Sequence, residues 1–168
     1  MKKIIFLIGL MFIICVSGIS FAKGSEYGPK HKRFGAGIVV GEPTGITLKG
    51  YPGKYLAVDA IVSWSFVDHA FTIIGDVTYD FFDIPIHTAV ATFPFYAGAG
   101  AKVGIHSDRE HDHVHEHRTR VGIRVPVGVA AQWTQYPVEV YLEVAPGIEL
   151  APETEFDISG GLGARFYF

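Results

Sequence analysis

The densest set of potential metal ligands in the chain lies in the segment 106–117. Five of the eight histidines fall there, with four acidic residues among them. Imidazole and carboxylate are ligands for zinc, copper and nickel, and His-rich tracts are a recognised metal-binding composition. Alternate residues of an extended chain share one side, which would align the candidate ligands His111, His113, His115 and His117. The other interpretations are a solvated polar loop and a pH response of the imidazoles. We expect no required cofactor and hold a divalent transition metal on this loop as a hypothesis.

The sequence offers one loose arrangement for catalysis. Ser63 and Ser65 have the same parity in a predicted strand, and His69 follows in the next loop. A lipid-modifying enzyme would need a serine, a histidine and a carboxylate close together at a rim facing lipid. No P-loop, GxGxxG or HExxH motif occurs in the chain. The ordinary interpretation is a serine-lined interior with a loop histidine, so we expect a protein that is not an enzyme.

The first 22 residues have the organisation of a secretory signal peptide. Met1-Lys2-Lys3 is followed by an apolar run from residue 4 to residue 16 and by the small-residue site Ser20-Phe21-Ala22. The apolar run is short of the roughly 20 residues of a membrane-spanning helix. We therefore predict export and cleavage after Ala22. Cys15 lies inside this segment, so the mature chain has no disulfide and no thiol nucleophile.

Removal of the signal leaves a moderately acidic chain. The formal charge changes from −3 to −5, because Lys2 and Lys3 leave and no acidic residue does. A nucleic-acid-binding protein would carry a basic patch or stripe. The composition therefore excludes nucleic acid as a partner.

From residue 33 onward the apolar residues recur every second position. In one stretch, apolar side chains alternate with glycine, arginine, proline and glutamine: Val121, Ile123, Val125, Val127, Val129, Ala131 and Trp133. A period of two predicts strands, and turn residues cut the chain into eight runs. These runs are 33–41, 45–51, 54–66, 70–82, 92–105, 118–133, 137–149 and 155–168. Most reach the 9–11 residues of a tilted membrane-crossing strand, and an even number lets a barrel close with both termini on one side.

The alternation divides the strands into an apolar face and a charged face. The charged face carries the candidate lumen network of Lys49, Asp59, Asp76, Asp80, Lys102, Arg124, Glu139, Glu143, Asp157 and Arg165. A water-soluble barrel would turn these charges outward, whereas a membrane barrel would turn them into the lumen. Because an unpaired charge in a closed lumen is costly, the membrane interpretation predicts salt bridges across the lumen and no open pore. The sequence does not determine which charged residues pair with each other.

The aromatic residues favour the membrane interpretation. With the N-terminus on the periplasmic side, aromatic residues of apolar parity fall near the two rims. One group is Trp64, Phe66, Phe71 and Phe156, and the other is Tyr79, Phe81, Phe93, Phe95, Trp133, Phe166 and Phe168. Two aromatic girdles around an aliphatic band are typical of outer-membrane barrels. We therefore predict an all-β fold, a closed eight-stranded antiparallel up-and-down transmembrane β-barrel. The alternative is a soluble periplasmic lipocalin-like barrel or sandwich.

Glycine and proline refine this prediction. Nine glycines take the inward parity: Gly35, Gly37, Gly98, Gly100, Gly104, Gly122, Gly128, Gly161 and Gly163. Small residues in a narrow barrel leave room for the large charged side chains opposite. Pro126 lies in the middle of a run and lacks a ladder donor, which predicts a bulge or local bend.

Three stretches resemble the small OmpX/OmpA-like eight-stranded outer-membrane barrels. They are residues 37–49 with the turn Gly41-Glu42-Pro43-Thr44-Gly45, residues 121–128, and the ending Phe166-Tyr167-Phe168. Within that set the chain looks like an uncharacterised group with a GEPTG first hairpin. The turn has its own physical reason, because Pro43 fixes its φ and the flanking glycines permit positive φ. The resemblance implies an outer-membrane location, lipid as a partner and the barrel-insertion machinery as a partner through Phe168. It implies no activity.

Together these features predict three segments. Residues 1–22 are the signal peptide, 23–32 a short periplasmic segment and 33–168 the outer-membrane barrel. The basic run 30–33 would contact anionic headgroups or be a solvated tail. The predicted function is a structural or surface-interaction role without an open pore, with an unknown external partner. The alternatives are a metal-binding surface protein, a lipid-modifying enzyme and a soluble binding barrel.

Overall fold

The computed structural model describes residues 28–42, 44–65, 70–86, 88–107 and 117–168. They form one short 3-10 turn, Pro29–His31, and ten strands. The strands are β1 (Phe34–Glu42), β2 (Gly45–Gly50), β3 (Leu56–Ser65), β4 (Ala70–Asp83), β5 (Ala91–Thr92), β6 (Pro94–Ser107), β7 (His117–Arg124), β8 (Val127–Trp133), β9 (Val138–Ala151) and β10 (Glu155–Tyr167). The signal peptide, Pro43, Phe66 and His69 lie outside the described residues.

The strands close into an antiparallel barrel. Neighbours in sequence pair with one another, and β10 pairs with both β9 and β1, so the sheet has no open seam. β7 and β8 both pair with β6 on one side and β9 on the other, so they are two halves of one span. β5 is a two-residue strand that pairs with the end of β8. The barrel therefore has eight spans, which confirms the predicted fold class.

The two ends of the barrel differ in what they carry. We call the end where the described residues begin and where Phe168 lies the terminal rim; there the Phe168 amide donates to the Phe34 carbonyl at 2.8 Å. Its described turns include 51–55 and 134–137. We call the opposite end the distal rim, where β1 ends, β2 begins and the turn 152–154 lies. Adjacent termini are what an even number of spans requires.

The expectation at Pro126 was wrong in one respect. The strand is interrupted at residues 125–126, where proline supplies no donor. Pairing nevertheless keeps its register across the interruption. The strand advances by three residues between the last paired residue of β7 and the first of β8, and the partners on β6 and on β9 also change by three residues. No bulge is therefore present there. The register shifts instead between Val121 and Gly122 and between Asp80 and Phe82.

Burial is inverted relative to a water-soluble barrel. Outward aliphatic side chains stay exposed on every span; Leu142, for example, is 60% exposed and Ile38 61%. The buried interior contains charged, hydroxyl and tyrosine side chains beside a small aliphatic cluster of Val39, Ile61 and Ile74, and Glu139 is 0% exposed. Alternation along the strands thus produces a wall that is apolar outside and mostly polar inside.

Three of the inward glycines make room for tyrosine rings, and two make room for charged side chains, as expected. A Cβ at Gly35 would lie 2.9 Å from the Tyr167 ring, and one at Gly163 would lie 2.3 Å from the Tyr141 ring. A Cβ at Gly128 would lie 2.5 Å from the Tyr96 ring. Two other inward glycines lie against charged side chains: a Cβ at Gly100 would meet Asp76, and one at Gly122 would meet Lys102. Large aromatic rings thus lie flat over the glycines of neighbouring strands.

The first hairpin uses its two glycines differently. Gly41 has φ +144, as the turn chemistry predicts, and the Thr44 side chain accepts from its amide at 3.1 Å. Gly45 has no positive φ, so that part of the expectation was wrong. A Cβ at Gly45 would lie 2.2 Å from the Val62 carbonyl oxygen. Close strand approach, not backbone conformation, requires glycine at this position.

The predicted connection 106–117 is shorter in the structure. His106 pairs with Arg118 and Ser107 with His117, so the ladder extends into both ends of the predicted loop. Residues 108–116 lie outside the described part of the chain. Among the described residues, no helix is long and apolar enough to cross a membrane.

Candidate functional site

The most distinctive site of the molecule is the charged lumen. Three carboxylates along one strand, Glu139, Glu143 and Glu149 of β9, mark successive levels between the terminal and distal rims. Each level contains basic side chains from other strands. We call these levels the terminal, middle and distal layers.

The terminal layer is centred on the Arg165 guanidinium. Nη2 lies 2.8 Å from Asp59 Oδ1, and Nη1 lies 2.9 Å from Glu139 Oε1. The Thr47 hydroxyl accepts from the same guanidinium at 2.8 and 3.0 Å. The Lys49 ammonium lies 3.9 Å from Asp59 Oδ2. All five side chains are almost fully buried, so this is a charge cluster with little access to water.

Aromatic rings surround the cations of the terminal layer. Arg165 Cζ lies 4.0 Å from the Tyr141 ring centroid, and Lys49 Nζ lies 4.7 Å from the Tyr96 centroid and 5.3 Å from that of Tyr51. A cation over a ring face is attracted by the ring quadrupole, most strongly where water is excluded. The tyrosines therefore compensate part of the desolvation of both cations.

A polar chain connects this layer to the terminal rim. Gln132 donates to Glu139 Oε2 at 2.8 Å and to the Tyr51 hydroxyl at 3.0 Å. The Tyr51 hydroxyl donates to Asp80 Oδ2 at 3.4 Å. Burial raises the pKa of Tyr51 well above its ordinary value, so its hydroxyl stays a neutral donor.

The middle layer is built on Arg124. Its guanidinium pairs with Glu143 and lies 3.3 Å from Asp76 Oδ1. The Tyr96 hydroxyl donates to the second Glu143 oxygen at 3.0 Å. This arginine stands immediately before the interrupted stretch at Pro126, on the strand that faces β9. The layer therefore links β4, β6, β7 and β9 across the lumen.

The distal layer is more open to solvent. The Lys102 ammonium lies 2.8 Å from both Glu149 Oε1 and Asp157 Oδ2. Arg120, about half exposed, lies 3.8 Å from the other Glu149 oxygen. The side chains of Lys102 and Glu149 are each 14% exposed. This layer forms the mouth of the lumen at the distal rim.

All ten charged residues assigned to the lumen face point inward in the structure. They divide among the three layers as described, with Asp80 at the terminal end of the first. Sequence reasoning missed Glu149 and Arg120 and also the buried tyrosines Tyr51, Tyr96, Tyr141 and Tyr167. Inward parity within the predicted run 137–149 would have found both Glu149 and Tyr141.

The serine of the catalytic hypothesis lies inside the barrel. Ser63 is 4% exposed, and its hydroxyl lies 3.3 Å from the Thr72 carbonyl oxygen, to which it donates. The Ser65 side chain and His69 lie outside what the structure describes. A nucleophile for lipid would need to reach a lipid-facing rim, and Ser63 does not.

The candidate metal ligands fall almost entirely outside the described residues. His111, His113 and His115 are not described, and of His117 only the backbone is placed, in β7. Within the described ranges, no group of three or more His, Cys, Asp or Glu residues has metal-binding geometry. Metal binding by the loop therefore stays a hypothesis.

Comparison with known proteins supports the fold. A family model described as "Protein of unknown function (DUF3996)" matches residues 26–167. The chain is similar to the N-terminal β-barrel domain of OprF from Pseudomonas aeruginosa, with TM-score 0.63, 14% identity, and coverage of 81% of this chain and 96% of that one. It also matches Ail, the attachment invasion locus protein of Yersinia pestis, with TM-score 0.37, 14% identity and coverage of 81% and 94%. No curated protein matches the chain. At 14% identity, structural similarity shows the fold alone. Of these two structures, the OprF domain has the TM-score that supports the fold.

Proposed function

Because the chain belongs to the DUF3996 family of proteins of unknown function, we propose its role from its own geometry. The protein is a small outer-membrane β-barrel whose lumen is filled by salt bridges. It serves a structural or surface-interaction role and provides no open pore. We also propose that the chain belongs to an uncharacterised group of such barrels that share a GEPTG first hairpin.

The inverted burial pattern carries the proposal. A closed barrel in water would be expected to bury its aliphatic residues, yet Leu142, Ile38 and Leu162 lie exposed on its outside. Contiguous apolar surface of this kind is unusual for a soluble monomer. In lipid the same surface is the favourable one, and closure satisfies every backbone group of the wall. A soluble lipocalin-like barrel would have the opposite arrangement, with an apolar interior.

The proposal includes an orientation. The predicted signal peptide exports the chain, and we propose that the terminal rim, where β1 begins and β10 ends, faces the periplasm. The C-terminal Phe168 is 65% exposed on the outside of the wall. An accessible terminal aromatic is compatible with recognition by the insertion machinery. The distal rim, with the His-rich loop 106–117, then faces outward from the cell.

The filled lumen is the reason we propose no open pore. The terminal and middle layers are crossed by the ion pairs of Arg165 and Arg124, whose side chains are 1% and 2% exposed. An eight-stranded barrel has an interior just wide enough for side chains to fill. The buried pairs therefore occupy the path that an ion would need.

Electrophoresis of the outer-membrane fraction tests the location and the closed barrel together. A closed barrel resists unfolding by detergent, so the unboiled protein should migrate differently from the boiled protein. The expected result is a shifted band in the outer-membrane fraction. Recovery of an unshifted protein from the soluble periplasm would overturn the proposal in favour of a soluble binding barrel.

Conductance in planar bilayers tests the closed lumen separately. Reconstituted protein should give no steady open level, because charged side chains block the path in two layers. The double variant R124A/R165A, if it still shifts on the gel, provides the matched sample with the blocking guanidinium groups removed. A steady conductance from the unmodified barrel would contradict the filled-lumen part of the proposal.

A further inference from the structure

Four basic residues lie at the terminal rim. Lys30, Lys32 and Lys54 are exposed, and Arg33 is partly exposed. We call Lys30, Lys32, Arg33 and Lys54 the basic collar. Lys30 and Lys32 belong to the segment that precedes β1, whereas Lys54 lies in the turn between β2 and β3.

Backbone contacts hold the two halves of the basic collar together. The Tyr51 amide donates to the Arg33 carbonyl at 3.0 Å, and Phe34 pairs with Gly50. These contacts place Arg33 beside the turn 51–55 that carries Lys54, whereas the 3-10 turn with Lys30 also contacts β8. The collar therefore follows the terminal rim, and its members come from segments that are separated in sequence.

Lys54 of the basic collar lies against the outward aromatic residues of the wall. Its Nζ atom lies 4.9 Å from the Tyr55 ring centroid. Tyr55 lies 5.9 Å from Tyr79, which in turn lies 5.2 Å from Phe81. Amphipathic aromatic rings in such a row lie at headgroup level in membrane barrels. The charge of Lys54 consequently lies where headgroups meet the acyl boundary.

The charge of the two rims is opposite. Among the described residues of the terminal rim, the acidic side chains are Asp83 and Asp80, and Asp80 is turned toward the lumen and Tyr51. At the distal rim the structure describes three exposed acids, Glu42, Glu153 and Glu155. Among the described residues, the exposed charges of the terminal rim are therefore mostly basic, and those of the distal rim are mostly acidic, with Arg120 as the exposed base there.

We propose that the basic collar binds the phosphate headgroups of anionic phospholipids in the leaflet at the terminal rim. The inference rests on the proposed function, since it takes the apolar wall to be in lipid. Lysine and arginine beside a membrane surface attract anionic lipid, and aromatic neighbours fit a partner that has acyl chains below its charge. A soluble polyanion would use the charge but leave the aromatic row unoccupied.

Native mass spectrometry of the full mature chain in non-ionic detergent tests this lipid preference. The probes are phosphatidylglycerol and phosphatidylcholine with identical acyl chains. The unmodified protein should bind phosphatidylglycerol at least about fivefold more tightly, the factor expected of one basic residue at a surface. The variant K30Q/K32Q/R33Q/K54Q should bind both lipids equally. The preference should also fall as ionic strength rises, because salt screens exposed charges.

Two control variants assign the effect to the basic collar. The charge-conserving variant K30R/K32R/R33K/K54R should keep the preference, and so should R120Q, which removes one positive charge at the distal rim. If the quadruple glutamine variant does not fold, K30Q/K32Q changes only exposed side chains and should at least halve the preference.

The outcomes separate this inference from the proposed function. Equal binding of both lipids by a folded, detergent-dependent barrel would overturn the lipid site alone, as would an unchanged preference in the glutamine variant. Displacement of phosphatidylglycerol by millimolar inorganic phosphate would show a free-anion site instead and would also overturn it. A protein that needs no detergent would overturn the proposed function.

Discussion

The terminal and distal layers of the lumen use the same chemistry in different surroundings. In each, a basic group lies 2.8 or 2.9 Å from two carboxylates: Arg165 with Asp59 and Glu139 in one, Lys102 with Glu149 and Asp157 in the other. The side chains of the first set are 0–6% exposed, and those of the second are 14–29% exposed. Distance therefore does not distinguish the layers, but burial does.

Burial decides how each layer affects the free energy of unfolding. An exposed ion pair contributes little, because water and salt screen it. A buried pair contributes little net free energy when it is intact, yet removing one partner leaves a charge that neither water nor protein compensates. The terminal layer should thus be sensitive to single substitutions and the distal layer tolerant of them.

The largest effect is expected from R165L in the terminal layer. It leaves the buried carboxylates of Asp59 and Glu139 without their shared cation and with Lys49, 3.9 Å from Asp59, as the remaining one, so the free energy of unfolding should fall by about 3 kcal/mol, the low end of the range for a broken buried pair. Urea unfolding in lipid vesicles, followed by tryptophan fluorescence, measures it. The double variant R165L/E139L removes one uncompensated carboxylate and should be more stable than R165L. A loss below about 1 kcal/mol would indicate that the terminal layer is hydrated like a surface pair.

A charge on the other side of the wall should have the next largest effect. L142R places a guanidinium on the lipid-facing surface in the middle of β9, at a cost of about 2–4 kcal/mol in vesicles. Y136R makes a similar change at the terminal rim, where the cost falls to about 0–1 kcal/mol. Unfolding in vesicles compares the two variants. A soluble barrel would tolerate both equally, since Leu142 would then face water.

A smaller effect is expected from the glycines that support the tyrosines of the terminal layer. In G163A the new methyl group would lie 2.3 Å from the Tyr141 ring, the ring that covers Arg165. Overpacking of this kind costs about 1–3 kcal/mol. In the control G53A the nearest atom is 3.8 Å away, so the free energy of unfolding should not change. An equal response of the two variants would mean that Tyr141 moves aside freely.

The smallest effect is expected from K102M in the distal layer. Its carboxylate partners remain partly solvated and Arg120 lies close to one of them, so the loss should be at most about 1 kcal/mol. Raising the salt concentration during urea unfolding should reduce this loss of stability further. A loss as large as that of R165L would remove the distinction between the two layers.

The sequence was enough to predict the faces of the wall but not the partners inside it. Period-two alternation assigns Asp59 and Arg165 to one face, because strand geometry leaves no other choice. Their contact depends on the stagger of strands that are distant in sequence, β3 and β10, and no local pattern encodes that stagger. The strand positions of His106 and His117 were missed for another reason, since polar residues at strand ends resemble loops.

The role of the tyrosines was also missed, although parity indicates it. Tyr96 and Tyr167 have the composition of girdle residues, yet parity turns them inward over Gly128 and Gly35. Aromatic rings were expected at the rims because lipid interfaces favour them, and the filling of a narrow lumen competes with that preference. Parity assigns the face of each ring, whereas the glycine that each ring covers depends on the packing of neighbouring strands.

Spin labels along the outer face of β9 test the central claim of an apolar wall in lipid most directly. The mature chain has no cysteine after the predicted cleavage at Ala22, so single cysteines at Val138, Val140, Leu142, Val144 and Ile148 can each carry a nitroxide. In vesicles, oxygen should relax the label most strongly near Leu142 and Val144, and an aqueous nickel chelate should reach only the strand ends. Access of the chelate to every position, with no oxygen maximum, would contradict the membrane barrel.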